Sequence, residues 1–383
     1  MKASRLLALP PYLFEELENR YNGAIAKGRD VIDLSIGDPD LSPPESMLSH
    51  LKEALANPDY HRYPPQRGTS DLKASIRRYL SRRGGIEPSD DQILVLIGSK
   101  EGLAHLPLSV CNPGDVTLVP EPGYPVYGSS AAFAGCRIET LELDESTGYL
   151  PDVSQLSMAA AEGARLCFLN YPNNPTGAAA DAEFFRAALE VSGKRELIIA
   201  NDAAYADLYF GPTSPLLCAT KNALDHAMIE FFSFSKMYSI TGWRVGFAVG
   251  HREVIEALSH LKANIDSGVF AAIQEAVART LDGSGDAYAE VMRKHYRERR
   301  DAATRLLAKH GFHCFSNCAT FYLWVRVPPK WTSMEFAISV LDGAGVLVTP
   351  GVGFGMAGEG YFRIALTRPL AEIEKGIHRL GRF

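Results

Sequence analysis

Between about residues 90 and 250, short apolar runs alternate with amphipathic stretches. The runs lie at 93–97, 116–119, 138–143, 166–170, 197–201, 230–234 and 245–249. Several are apolar over almost every position, the pattern of strands buried on both faces. Strands that alternate with helical stretches predict a largely parallel sheet with helices packed on it. Beyond residue 250 the period changes. Residues 286–310 predict one long amphipathic helix. Short strands follow at 321–327, 346–349 and 361–366, separated by a helix and a Gly-rich loop. The fold class read from this pattern is α/β, with a large domain built on a mostly parallel seven-stranded sheet and a smaller α+β domain.

Composition narrows the picture without naming a chemistry. The chain has 383 residues, 46% apolar and 22% charged. That suits an ordinary globular protein of more than one domain and excludes disordered, collagen-like and disulfide-scaffold classes. Lys plus Arg number 39 against 45 Asp plus Glu, a net charge of −6. Nucleic-acid binding through a basic face is therefore not expected. The basic cluster from Arg293 to Arg300 alternates with Glu298 and Asp301 at helical spacing and reads as a solvated helix face. Six cysteines are scattered with no C-x-x-C pair, so neither a disulfide framework nor a structural metal is expected. His313, Cys314 and Cys318 lack a second ligand pair. With no cleavable leader pattern and no 18-residue apolar run, the expectation is a cytoplasmic protein with no membrane partner.

Metalloprotease, P-loop and α/β-hydrolase motifs are absent from the sequence. A G-x-G-x-x-G at Gly353, Gly355 and Gly358 precedes a β-rich run rather than a helix, so it reads as a loop and not as a dinucleotide site. The strand ends carry more. Ligands of open α/β sheets bind beyond the carboxyl ends of the strands. Just past the proposed strands stand Gly98-Ser-Lys-Glu-Gly, Glu121-Pro-Gly-Tyr124, Asn170-Tyr-Pro-Asn-Asn174-Pro-Thr-Gly, Asp202-Ala-Ala-Tyr205 and Ser233-Phe-Ser-Lys236. A glycine-flanked helix start, an aromatic, an amide, a carboxylate, a phenol, hydroxyls and a lysine suit a flat, electron-poor ring. Such a ring would carry a phosphate, an acidic hydroxyl and an aldehyde.

Ser233-Phe-Ser-Lys236 followed by Thr241-Gly-Trp-Arg244-Val-Gly resembles the pyridoxal phosphate signature of the class I/II aminotransferases, members of the fold-type I superfamily. Leu34-Ser-Ile-Gly37-Asp-Pro-Asp, Tyr63-Pro-Pro-Gln-Arg-Gly68, Asn174-Pro-Thr-Gly, Asp202 with Tyr205 and Tyr361-Phe-Arg363-Ile-Ala-Leu appear in the family's order. The resemblance runs from about residue 10 to the end, and no catalytic position departs from it. Asn264-Ile-Asp-Ser-Gly-Val-Phe and Pro350-Gly-Val-Gly-Phe-Gly355 look most like the LL-diaminopimelate aminotransferase group.

The resemblance implies pyridoxal 5'-phosphate as cofactor and assigns roles. Lys236 would bond the cofactor aldehyde and, once released, shuttle the substrate α-proton. Asp202 would pair with the pyridinium nitrogen, while Tyr205 and Asn174 would hold the ring hydroxyl oxygen and Tyr124 would stack on the ring. The backbone of Ser99 and Lys100 would receive the phosphate at a helix N-terminus, where unpaired N–H groups and the dipole favour anions. Ser233, Ser235 and Arg244 would complete that cradle, and Tyr63 would reach it from a second subunit. Arg363 would grip the substrate α-carboxylate as a bidentate pair, with Gly37 offering its backbone and Tyr12 facing the substrate.

These roles imply a homodimeric enzyme with shared sites that moves an amino group between an α-amino acid and a 2-oxo acid by a ping-pong mechanism. The amino donor would be LL-diaminopimelate or of aspartate or alanine type. Elimination, replacement or carbon–carbon bond formation on the same cofactor is the alternative, because fold alone does not fix the reaction. A ligand-sensing regulator would need a DNA-binding module, and no helix-turn-helix pattern precedes the cofactor motifs. The implied domains are residues 44–285 for cofactor binding and 286–383 for the small domain, with 1–43 joining the latter.

Overall fold

A computed structural model describes Leu6 and residues 15–383, the side chains of Glu15, Glu16, Lys194 and Arg195 excepted. The elements that matter for the site are, in chain order, helix α1 (Glu15–Ala26) and strands β1 (Ile32–Asp33) and β2 (Ile93–Leu96). Helix α2 (Ser99–Val110), β3 (Val116–Glu121), helix α3 (Val126–Phe133), β4 (Arg137–Glu142) and β5 (Ala164–Leu169) come next. They are followed by β6 (Ile198–Asp202), β7 (Met228–Ser233), β8 (Gly246–Gly250), helix α4 (Gly285–Lys309), β9 (Tyr322–Arg326), β10 (Val346–Leu347), β11 (Thr349–Pro350) and β12 (Tyr361–Ala365).

Seven strands form one sheet in the order β2-β8-β7-β6-β5-β3-β4. Every neighbouring pair is parallel except those made by β8, which runs antiparallel to both β2 and β7. Alternate residues of each inner strand enter different cores. Val95, Leu118, Cys167 and Ile199 pack on one face of the sheet, and Leu94, Val119, Phe168 and Ile198 on the other. Both faces are covered, which is why the inner runs lack a polar side. At the edge, β4 shows the complementary pattern. Arg137, Ile138, Thr140 and Glu142 face solvent and only Leu141 is buried. Charge along an edge discourages pairing with another chain.

A separate apolar core holds Leu17, Ile32 and Leu34 together with Tyr296, Leu323, Val346, Phe362 and Ile377. Its β-structure is the antiparallel set β11-β12-β9 and the parallel pair β1–β10, in which Ile32 lies opposite Val346. The first described strand of the chain is thus paired with one close to its end.

The predicted long helix is α4, but its basic cluster is not a solvated face. Arg299 is buried, donates from both terminal nitrogens to Asp40 at 2.7 and 2.8 Å, and also donates to Leu366 O at 2.8 Å. Arg300 lies over the Phe210 ring, 4.5 Å from its centroid. Helical spacing shows which residues share a face and not what docks on it; here the segment around Asp40 does. The run Gly353–Gly358 is a loop that ends in a single 3-10 turn (Met356–Gly358), with Gly355 so close to Glu121 that a Cβ would meet the Glu121 side chain. His313 pairs with Glu145. All six cysteines are free. Among the described residues no helix is long and apolar enough to cross a membrane.

Candidate active site

A cavity of about 680 Å³ opens where the carboxyl ends of the parallel strands meet the second core, and Ser99, Tyr124, Asn174, Asp202, Lys236 and Arg363 are among its lining residues. The strand ends project their following residues into it: Asn170 after β5, Asp202 at the end of β6, Ser233 at the end of β7.

One end is shaped for an anion. Gly98 precedes α2 with φ +75°, and a Cβ there would lie 2.5 Å from Arg244 Nη2. A side chain at this position is excluded both by backbone conformation and by the guanidinium. Gly246 has the same effect from β8, since its Cβ would come within 2.9 Å of Ser99 N. The first turn of α2 therefore lies open beside Arg244, with its N–H groups unpaired by any side-chain cap. Arg244 takes the left-handed conformation at φ 55° and donates from Nη1 to Thr241 O at 2.9 Å. Ser235 is buried, and its hydroxyl has no partner among the described residues.

Deeper in, Asp202 is buried and accepts hydrogen bonds from Tyr127 Oη at 2.8 Å and from Ala204 N at 3.1 Å. Burial pushes its carboxyl up to about 6, and the two donors oppose that shift. Asn170 supports the same turn by donating from Nδ2 to Asp202 O at 2.7 Å, while its Oδ1 accepts from Asn174 N at 2.8 Å. Tyr127 is itself fixed by stacking on Phe168, ring centroids 5.0 Å apart. Tyr205 places its hydroxyl 3.0 Å from that of Tyr322, and burial raises the Tyr205 phenol well above its ordinary range. Tyr124 is raised to about 12, chiefly by burial and then by the nearby Asp202.

Lys236 donates from Nζ to Gly37 O at 2.9 Å. Burial lowers its amine to about 8; Asp38 opposes that shift, while Arg244 and Arg363 add to it. Near neutral pH an appreciable fraction of this amine is therefore unprotonated, the form that attacks carbonyls and accepts protons. Gly37 has no alternative, because a Cβ would overlap the Tyr322 hydroxyl.

Arg363 is buried on β12, with its guanidinium between the Tyr322 ring at 4.0 Å and the Phe354 ring at 4.8 Å. Its Nη1 donates to Asn174 Oδ1 and its Nη2 to Ser35 O, both at 2.7 Å, while Nε is buried with no partner. Among the described residues no carboxylate pairs with it. A buried cation facing only neutral oxygens is poorly compensated and favours an incoming anion.

The predicted residues Ser99, Lys100, Tyr124, Asn174, Asp202, Tyr205, Ser233, Ser235, Lys236, Arg244, Gly37 and Arg363 all line this one cavity. Lys100 is exposed and sits over the Tyr124 ring at 5.9 Å. Tyr63 does not line it; it is 89% exposed. Tyr12 lies outside the described residues. Sequence reasoning missed Tyr127, Tyr322, Ser35 and Phe354. Ser35 and Phe354 lie within two of the segments that carry the resemblance, and Tyr127 stands three residues beyond Tyr124; Tyr322 carried no signal.

The donor set fits pyridoxal phosphate. An orphaned Ser235 hydroxyl and an open helix start beside Arg244 suit a phosphate. A buried carboxylate suits a ring nitrogen, and a depressed lysine suits an aldehyde. Comparison with known proteins agrees. The family described as aminotransferase class I and II matches residues 29–380. An LL-diaminopimelate aminotransferase from Syntrophobacter fumaroxidans is 42% identical over 100% of this chain and 99% of its own length. Substrate-bound BacF from Bacillus subtilis superposes with TM-score 0.95 at 33% identity, covering 100% of this chain and 97% of that one. A probable N-succinyldiaminopimelate aminotransferase from Thermus thermophilus gives TM-score 0.91 at 34% identity, over 97% and 99% of the two chains.

Proposed function

The chain belongs to the class I and II aminotransferases and is a pyridoxal phosphate-dependent enzyme of fold type I, and on that premise we propose that its amino donor is LL-diaminopimelate and its acceptor a 2-oxo acid. The cofactor, when bound, supplies an electron sink that acidifies the Cα–H bond of an attached amino acid.

The protein's own groups do the rest. The first turn of α2 with Ser233, Ser235 and Arg244 would hold the phosphate, and Asp202 would meet the ring nitrogen as a carboxylate. Tyr205 and Asn174 would hold the ring hydroxyl, and Tyr124 would cover the ring. Arg363 holds the substrate α-carboxylate by its two terminal nitrogens, turning the Cα–H bond toward Lys236. Lys236 Nζ then takes that proton and returns it on the far side of the transfer. Residues 44–285 form the cofactor domain and 286–383 the small one, whose core also takes in Leu17, Ile32 and Leu34. Six free cysteines favour a reducing, cytoplasmic setting.

The observation that carries this reading is the buried Arg363 cation, without a carboxylate partner among the described residues, in the same cavity as a lysine lowered to about 8. The 42% identity to an enzyme of that name supports the donor. LL-diaminopimelate, aspartate, alanine and glutamate are to be compared with 2-oxoglutarate and pyruvate, and the keto acids identified by mass spectrometry. LL-diaminopimelate is expected to lead in kcat/KM by at least about tenfold. A lead for aspartate or alanine would refute the assignment.

We also propose that the working unit is a homodimer in which Tyr63, exposed on its own subunit, completes the phosphate site of the partner subunit. Tyr63→Ala and Lys236→Ala subunits, each inactive or weak alone, are then expected to recover activity when mixed, because one site of the hybrid carries neither change. Proven hybrid dimers without recovery would rule out the shared site.

A further inference from the structure

Three carboxylates line the cavity: Glu18, Asp33 and Asp202. Two are satisfied by the protein. Asp33 Oδ1 accepts from Ser35 N at 2.9 Å and from Ser35 Oγ at 2.7 Å, and Asp202 is held by Tyr127 and Ala204. Glu18 makes no hydrogen bond or ion pair with any described residue.

Its placement follows from the helix that carries it. On α1, Leu17 and Ala24 are buried, and Leu17 enters the core of the small domain. That anchoring fixes the rotation of the helix, and the neighbouring face, Glu18 with Asn22 one turn later, lines the cavity. A substrate whose α-carboxylate sits on Arg363 and whose α-amino group lies by Lys236 has its reacting end fully occupied by those two side chains. A long side chain continues into the remaining volume, whose walls include α1.

We propose that Glu18, with Asn22 beside it, is a specificity residue that receives a positively charged amino group at the far end of the substrate side chain. A free carboxylate attracts an ammonium, and an amide one turn away offers an acceptor to that ammonium and a donor to a carboxylate beside it. The idea rests on the donor proposed above, since LL-diaminopimelate carries a second amino group, next to its second carboxylate, at the far end of its side chain. It applies equally to any long α-amino acid with a terminal ammonium.

Two matched substrate pairs test it, each differing only in the distal amino group: LL-diaminopimelate against L-2-aminopimelate, and lysine against norleucine. In the wild-type holoenzyme the ammonium-bearing member of at least one pair is expected to have the higher kcat/KM. In Glu18→Gln that ratio is expected to fall about threefold, mainly through KM, the scale of one ion pair at an exposed position. Turnover of the member without the ammonium, in the same preparation, reports an intact site. A ratio unchanged in Glu18→Gln, or no wild-type preference in either pair, would overturn the proposal. If LL-diaminopimelate is not a substrate while the lysine ratio collapses in Glu18→Gln, the donor assignment fails and the role of Glu18 stands. If LL-diaminopimelate leads but no ratio moves, the donor stands and Glu18 has no such role.

Discussion

Lys236→Ala is expected to lower turnover by at least about 10⁴-fold, the upper range of what one positioned acid–base group contributes. The loss is expected to be larger still because the same amine is proposed to attach the cofactor. The visible-range absorbance of the lysine-bound cofactor should vanish with it, and dialysis should strip the cofactor that the wild-type protein retains. The physical basis is the amine lowered to about 8 by burial and by the nearby Arg244 and Arg363 cations. A variant that kept both the absorbance and the turnover would show that another group bonds the cofactor. The fold should survive the change, since Lys236 makes a single hydrogen bond, to Gly37 O.

Asp202→Asn comes next in expected effect. An amide in place of the carboxylate cannot hold a proton on the ring nitrogen by charge, so α-proton removal is expected to slow by about 10³-fold, roughly 4 kcal/mol. Stopped-flow half-reactions measure this directly, and near-wild-type rates would refute the role. The apoprotein gives a second readout. Because the folded-state value of Asp202 is raised to about 6, above an unfolded value of about 3.9, the folded state binds this proton more tightly. Stability from this group therefore grows as pH falls from about 7 toward 4, and is lost again as pH rises through 6. The span is about 3 kcal/mol, at about 1.4 kcal/mol for each tenfold change in proton affinity. Thermal melts of Asp202→Asn apoprotein should lack that portion of the slope. Tyr127→Phe removes one of the two donors that oppose the shift, so the slope should persist with its midpoint at higher pH.

How much of this was legible in the sequence depends on distance along the chain. The strand ends were readable because burial on both faces leaves an apolar run, and the polar residues that interrupt it mark where the sheet gives way to the site. Gly98 was readable because a glycine before a helix has few other uses, and Lys236 because its flanking residues are distinctive. Tyr127 was half visible through its spacing from Tyr124. The contacts of Tyr322, Phe354 and Ser35 were invisible for a different reason, although Ser35 and Phe354 stand in segments that carry the resemblance. These residues act on others far away, Tyr322 by closing over Gly37 and Arg363, Ser35 by accepting from Arg363, and local periodicity holds no record of such a meeting. Arg299 failed similarly: its helix was foreseen, but the docking of Asp40 against it was not.

The pairing of β1 with β10 has a consequence for how the enzyme is made. Ile32 leaves the ribosome 314 residues ahead of its partner Val346. The seven-stranded sheet lies wholly between them, and domains generally fold as units while synthesis proceeds. The cofactor-binding half can therefore assemble while the segment carrying Ile32, Ser35 and Gly37 still waits without its partner strand. Arg363, on the strand that receives Ser35, follows only afterwards. On the proposed assignment, a nascent chain can thus acquire the pocket for its cofactor before it carries Arg363, the side chain proposed to grip an amino acid. Competence to react then waits until the segments that carry Ile32 and Val346 close on each other.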